Sequence, residues 1–193
     1  MSKGRLTRDN ILQTAFEQAS QQGLESLTIG SLACACEMSK SGLFAHFQSR
    51  DNLQIAVLSY SAEVFRERVI QPVRQQRHGS QQEKLLALLQ AWLAWNQSFA
   101  GRCMFLDAWT SAQEGEVQQA ARQLVRFWLD YLARQVVQGQ EKGEWRRDLD
   151  PWRAVYRLYG LYLGDQVFNA LDLCQDPGRH FWPEVEDLLT SWR

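Results

Sequence analysis

Proline is scarce in this sequence of 193 residues: four occur, at Pro72, Pro151, Pro177 and Pro183, and none precedes Pro72. Strand-like alternation bounded by turn residues is missing as well, whereas apolar residues recur at helical spacing along the whole chain. An all-α fold is the expectation. No stretch approaches the roughly 18 consecutive apolar residues of a membrane-crossing helix. The opening Met1-Ser-Lys-Gly-Arg-Leu-Thr-Arg-Asp has basic residues but no apolar run behind them, unlike a secretory leader. A cytoplasmic location and no membrane partner follow. The four cysteines, Cys34, Cys36, Cys103 and Cys174, are too few and too scattered for a disulfide framework. Cys34 and Cys36, two apart, point to different sides of a helix. The three histidines, His46, His78 and His180, lie far apart, and no glycine-rich phosphate loop is present. Neither a metal nor a cofactor is expected.

What the chain does have is ordinary for a globular protein, with 45% hydrophobic and 22% charged residues. The net charge of −1 decides nothing about nucleic acid. Its first 52 residues mix Lys3, Arg5, Arg8, Lys40 and Arg50 with Asp9, Glu17, Glu25, Glu37 and Asp51. DNA binding there requires the positive charge to be segregated on one face.

Ile11, Leu12, Ala15, Phe16 and Ala19 form one apolar stripe, which predicts a first helix over about residues 6–22, stopped by Gly23. Thr28 can cap a second helix carrying Ile29, Leu32 and Ala33, and Ser39 a third that ends at Phe47. Ser49 can cap a fourth, with Asp51 near its positive end, running through Leu53, Val57, Tyr60 and Val64 until Pro72 disturbs it. The polar run 74–82 reads as a linker. Further helices are expected at about 81–99, 103–112, 116–142, 151–174 and 180–192, about nine in all. All eight tryptophans lie beyond position 90, so a Trp-free unit over 1–52 precedes a larger aromatic helical body over 53–193.

Three short helices with a tight turn at Cys36-Glu-Met-Ser39 describe a helix-turn-helix, although a plain three-helix packing unit gives the same pattern. The core is supplied by Ile11, Ala15, Phe16, Leu27, Ile29, Leu32, Ala33, Met38, Leu43 and Phe47. The third helix opens with small and basic residues, Ser39-Lys-Ser-Gly42, which suit a DNA groove. Arg8-Asp-Asn-Ile-Leu-Gln-Thr-Ala-Phe, Gly23, Leu27-Thr-Ile-Gly-Ser-Leu-Ala33, Met38-Ser-Lys-Ser-Gly-Leu-Phe-Ala-His-Phe47 and Ser49-Arg-Asp-Asn-Leu53 together resemble the N-terminal domain of the TetR family of transcriptional regulators. The match spans about residues 5–55.

This resemblance implies a set of roles. Thr28 offers its hydroxyl to a phosphate. Ser39, Lys40, Ser41 and Gly42 face the groove, Lys40 within reach of a guanine edge, with Ala45 one turn on. His46 lies near the backbone, and Arg50 holds a phosphate. Lys3 and Arg5 form a flexible arm. Two positions depart from the family pattern: Glu37 stands where glycine is usual, in a turn that favours positive φ, and Phe44 replaces a tyrosine whose hydroxyl contacts a phosphate.

In the body, Trp92, Trp95, Phe99, Phe105, Trp109, Phe127, Trp128 and Tyr131 cluster in the middle helices. Large aromatics at such spacings most often form core. The resemblance implies, in addition, a pocket for a small-molecule effector, with Trp95, Trp109 and Tyr131 as candidate lining residues. The segment 152–171 is apolar almost all round and carries Gly160 and Gly164, four apart. The resemblance implies a homodimer through about 151–174 and 180–192, able to span the two halves of a palindromic operator in double-stranded DNA. The function implied is an operator-binding repressor released by its effector, not an enzyme. Two alternatives stand beside it: a DNA-binding adaptor that recruits a protein without a small ligand, and a thiol-dependent enzyme using Cys103.

Overall fold

The computed structural model describes residues 3–97, 115–173, 176 and 178–193, with side chains from Arg8 onward. Every described element is helical. The chain divides into two compact units, one of residues 1–71 with 94–126, the other of 72–93 with 127–193. The expected helix at 103–112, with Cys103, Phe105 and Trp109, lies outside the described residues, as do Phe99 and Cys174.

In the first unit, α1 (Lys3–Gln22) is followed by a 3-10 turn (Leu24–Ser26), α2 (Ile29–Ala35), α3 (Lys40–Phe47) and α4 (Arg50–Phe65). The caps are those the sequence predicts: Thr28, Ser39 and Ser49 accept from the backbone N–H groups of Ser31, Gly42 and Asn52. Gly23, with φ 85°, turns the chain out of α1. Ile11, Ala15, Phe16, Leu27, Leu32, Ala33, Leu43 and Phe47 are buried in one core with Leu24, Leu53, Val57 and Leu58, and Ile29 and Met38 are partly buried against it.

The turn between α2 and α3 has a specific hydrogen-bond pattern. Glu37 N–H donates to Cys34 O at 3.2 Å, and Met38 N–H to Ala33 O at 2.9 Å, with Glu37 at φ 53°. This is a Schellman helix end with glutamate in the left-handed position that glycine usually fills. Met38 then packs into the same core as Ala33, the apolar contact that accompanies this motif.

Pro72 does not end the helix begun by α4. The chain widens into a π turn over Arg66–Ile70 and continues as α5 (Gln71–Gln75). A proline at 72 has no N–H to give the carbonyl of Arg68, and its ring would crowd that oxygen; a widened turn just ahead relieves both problems. The linker is shorter than expected, covering only 76–80 before α6 (Gln81–Gln97) begins.

The second unit contains the start of α6, the latter part of α7 (Glu116–Glu141), α8 (Pro151–Ala170) and α9 (Phe181–Thr190). The first backbone N–H groups of α6 are capped from a distance. Both carboxylate oxygens of Glu144 accept from Gln81 N–H at 2.8 Å, and one also accepts from Gln82 N–H at 3.1 Å, placing an anion at the positive end of the helix. Trp145 lies against Gly139 so closely that a Cβ there would stand 2.1 Å from its ring, and it meets the buried Trp192 edge to face. α8 ends four residues before its expected limit, because Asp172 at φ 53° and Leu173 close a second Schellman turn on Asn169 and Phe168.

Candidate nucleic-acid interface

Two buried anchors fix α3 on its support. Leu43 and Phe47, one turn apart, hold its inner side in the core. At its end, Arg8 Nη1 donates to the carbonyl of His46 at 2.9 Å while the guanidinium lies 4.8 Å over the Phe47 ring. Arg8 thus ties the free carbonyl end of α3 to α1, a role that the sequence reading did not give it. His46 is half-buried, its ring 6.2 Å from that of Phe47.

With that side occupied, the opposite side of α3 faces outward. Ser39, Lys40, Ser41, Phe44 and Ala45 are exposed and Gly42 half-buried. Thr28, at the head of α2, is exposed beside them; its Oγ1 accepts from Ser31 N–H at 3.0 Å. The two helices meet over Gly30. A Cβ built there would lie 3.4 Å from Lys40 Cε, 3.7 Å from Lys40 Nζ and 3.9 Å from Thr28 Oγ1. The lysine stem therefore rests over a bare Cα, near which the Thr28 hydroxyl also lies. Gly30 is a second residue of the site to which the sequence reading gave no role.

Gly42 has a comparable constraint, since a Cβ there would come within 3.1 Å of Ser39 Oγ, the atom that caps the helix. Ser39 and Ser41 also share a hydroxyl contact of 3.2 Å.

Arg50 is employed differently from the phosphate contact expected of it. Its Nη2 donates to the carbonyl of Glu25 and to Glu25 Oε2, both at 2.6 Å, and its Nε to Leu27 O at 3.1 Å. The guanidinium thus holds the segment leading into Thr28. Lys3 and Arg5 fall inside α1 rather than on a separate arm, because the helix already begins at Lys3; their side chains are outside the described set.

Of the candidate effector residues, Trp109 lies outside the described residues. Trp95 is in the first unit, stacked 6.0 Å from Phe16 and edge-on to Phe65 at 5.9 Å. Tyr131 is in the second, 5.9 Å from Trp128, where burial pushes its phenol upward in pKa. Its hydroxyl is buried and has no hydrogen-bond partner among the described residues. In the same unit Trp92 stacks on Tyr162 at 4.0 Å and meets Trp128 at 5.4 Å and Tyr159 at 6.0 Å. Trp92, Trp128 and Tyr162 thus act as core, whereas Phe127 is exposed.

α8 packs inward through Ala154, Val155, Leu158 and Tyr162. Its other side carries the exposed Trp152, Tyr156, Val167 and Phe168, and no atom of the described residues lies within 4 Å of a Cβ built on Gly160 or Gly164. Among the described residues the helix is therefore buried along one side, not on several. Among the described residues no cluster of three metal-ligating side chains occurs, and no helix is long and apolar enough to cross a membrane.

Comparison with known proteins adds two sequence matches. Residues 11–57 match the family model described as bacterial regulatory proteins, tetR family, and residues 82–182 that described as tetracyclin repressor-like, C-terminal domain. No curated protein matches the sequence. Among solved structures, a TetR-family transcriptional regulator from Cytophaga hutchinsonii is similar with a TM-score of 0.86 at 18% identity, covering 100% of this chain and 98% of that one. The transcriptional regulator FadR from Bacillus subtilis, in complex with stearoyl-CoA, has a TM-score of 0.78 at 16% identity, covering 96% and 100%. AibR, in complex with isovaleryl coenzyme A and operator DNA, has a TM-score of 0.63 at 20% identity, covering 96% and 97%. At these identities the likeness is one of fold.

Proposed function

The chain belongs to the TetR family of bacterial transcriptional regulators, and from that premise we propose that it is a cytoplasmic, homodimeric repressor released from a palindromic operator by a small-molecule effector. The observation that carries the DNA-binding part is the outward face of α3, with Lys40 and Thr28 converging over Gly30. Both are exposed at the heads of their helices, where a phosphate of the DNA backbone can approach. Together they set the register of the reading helix without reading sequence. Ser39, Ser41, Gly42, Phe44 and Ala45 then approach the major groove, and His46 the adjoining backbone. Lys3 and Arg5 add charge at the start of α1. Arg50 serves the site by placing Thr28, since its Nε and Nη2 are already committed to Glu25 and Leu27.

The neighbours crystallised with acyl-CoA ligands support an effector in the C-terminal body, with Trp95, Trp109 and Tyr131 as the residues to probe. Switching requires that the effector favour the dimer shape in which both reading helices cannot dock. Moving the population from 1:99 to 99:1 takes about 5.5 kcal/mol of differential affinity.

The decisive experiment selects bound sequences from a random DNA library with the purified protein, then titrates the selected site at several salt concentrations. A palindromic site is expected. Lys40→Ala should weaken binding evenly across sequences and lower the slope of log K against log salt by about 0.9 for each half-site. An unselected library, or an unchanged salt slope, would overturn the reading.

A further inference from the structure

Phe44 poses a problem that phosphate binding does not solve. Among the described residues of the first unit it is the one large apolar side chain left exposed, at 53%, the others being buried or half-buried. It sits at the middle of the outward face of α3, one turn beyond Lys40 and beside Ser41 and Ala45. A phenyl ring there has no hydroxyl to give a phosphate. The Lys40 side chain runs along Gly30, where a built Cβ would lie 3.4 Å from its Cε and 3.7 Å from its Nζ. Whatever approaches this face meets an uncovered apolar edge flanked by small side chains.

The chemistry of the major groove says which edge suits it. Purines present N7 with O6 or N6, and cytosine presents an amino group; a phenyl ring against any of these strips water from a polar group and returns no hydrogen bond. Thymine alone presents a methyl group. We propose that Phe44 is a specificity-determining residue, which selects thymine in each half-site by packing its ring on the thymine C5-methyl. Small neighbours at Ser41, Gly42 and Ala45 keep the helix close enough to the groove for a ring of that length to reach a base edge. The proposal rests on the DNA-binding reading above and adds to it the base that is read and the side chain that reads it.

The test uses the full-length protein and its selected duplex. Each thymine of the site is replaced in turn by uracil, which keeps every hydrogen-bonding group and lacks only the methyl. One thymine per half-site should respond, with affinity falling about fourfold for one half-site and about fifteenfold for both, as expected for one methyl returned to water each time. In Phe44→Ala the same uracil substitutions should have no effect, while the other thymines behave as in the parent. Phe44→Tyr, which keeps the ring, should keep the uracil response. Because Phe44 is exposed, these variants should melt with the parent, so a change in DNA preference reports contact rather than folding. Selection of a site with no thymine sensitive to uracil, or an equal uracil effect in the parent and in Phe44→Ala, overturns the proposal and leaves DNA binding intact. Failure to select any site overturns DNA binding itself, and this proposal with it.

Discussion

Arg50 and Glu25 are joined twice through one nitrogen: Nη2 of the arginine lies 2.6 Å from both the carbonyl and the carboxylate of the glutamate. The ion pair is exposed, with side-chain accessibilities of 45% and 61%, so its own contribution is expected to be under about 1 kcal/mol. The two carbonyls, on Glu25 and Leu27, are the larger part, because a charged donor satisfies backbone groups just ahead of the Thr28 cap. Arg50→Ala should therefore cost about 1–2 kcal/mol, a drop of about 3–6 °C in Tm. Glu25→Gln should cost less than half of that. Arg50→Lys should not restore the parent, since one ammonium cannot reach both carbonyls from the geometry of a planar fork. A Glu25→Gln loss as large as that of Arg50→Ala would show that the carboxylate, not the carbonyls, does the holding.

Glu37 carries a backbone cost that a single atom count removes. At φ 53° its Cβ crowds the following carbonyl, a penalty of about 1 kcal/mol that glycine does not have. Glu37→Gly should raise Tm by about 2–4 °C in a chain of this size, with DNA affinity unchanged. Glu37→Val, branched at Cβ, should lower it. A glycine variant that melts with or below the parent would mean that Glu37 makes a compensating contact in solution.

These two residues also show what the sequence could and could not disclose. Glu37 was legible through the resemblance, which marks its place as one that glycine usually holds. The three caps and the buried anchors Leu43 and Phe47 were legible for local reasons: each depends on neighbours within four positions. Arg50 was not, because its guanidinium finds its partners 23 and 25 residues earlier, and a basic residue at the head of a helix beside a DNA surface reads equally well as a phosphate ligand. Gly30 and Arg8 escaped for the same reason. One matters because a side chain from another helix crosses it, the other because it reaches a carbonyl 38 residues away. The inward packing of Trp92 on Tyr162 was likewise hidden, since spacing shows that an aromatic is on a stripe and not which other stripe it meets.

Asp165 offers a stability test with a definite sign. Burial pushes its carboxyl upward in pKa, against the opposing pull of Asn169, the backbone N–H of Gly178 and His180. Asn169 Nδ2 donates to it at 3.0 Å. A carboxyl that titrates higher in the fold than in the unfolded chain disfavours the fold when charged. That penalty is complete above the folded pKa and absent below the unfolded one. Asp165→Asn, which keeps an acceptor for the Gly178 N–H, should therefore be more stable than the parent at neutral pH. The gap should close as pH falls from the raised pKa of the folded chain to the usual carboxylate value. Thermal melts at a series of pH values measure it, and a gap that widens toward acid would mean the hydrogen bonds outweigh the burial.

The uncovered side of α8 decides whether two copies associate. Trp152, Tyr156, Gly160, Gly164 and Phe168 follow one another at four-residue steps, and Tyr156 is 79% exposed, a costly position for so large a ring in a lone chain. Rows at four-residue spacing are the ridges by which helices interlock. In the proposed homodimer, two copies of this row crossing about a twofold axis between Gly160 and Gly164 would bring the bare glycines together at the centre and set Tyr156 of one copy against Phe168 of the other. Sedimentation at micromolar concentration should show a dimer. Tyr156→Glu or Phe168→Glu places a charge in that contact twice per dimer. If each copy loses about 2 kcal/mol, as at an interface hot spot, association should weaken about a thousandfold. Gly160→Leu should act in the same direction by holding the helices apart, whereas Gly139→Leu, set against Trp145 inside the chain, should impair folding instead. A parent protein that sediments as a monomer, or glutamate variants that dimerise as well as the parent, would place the pairing surface elsewhere and leave the four-step row of α8 without a purpose.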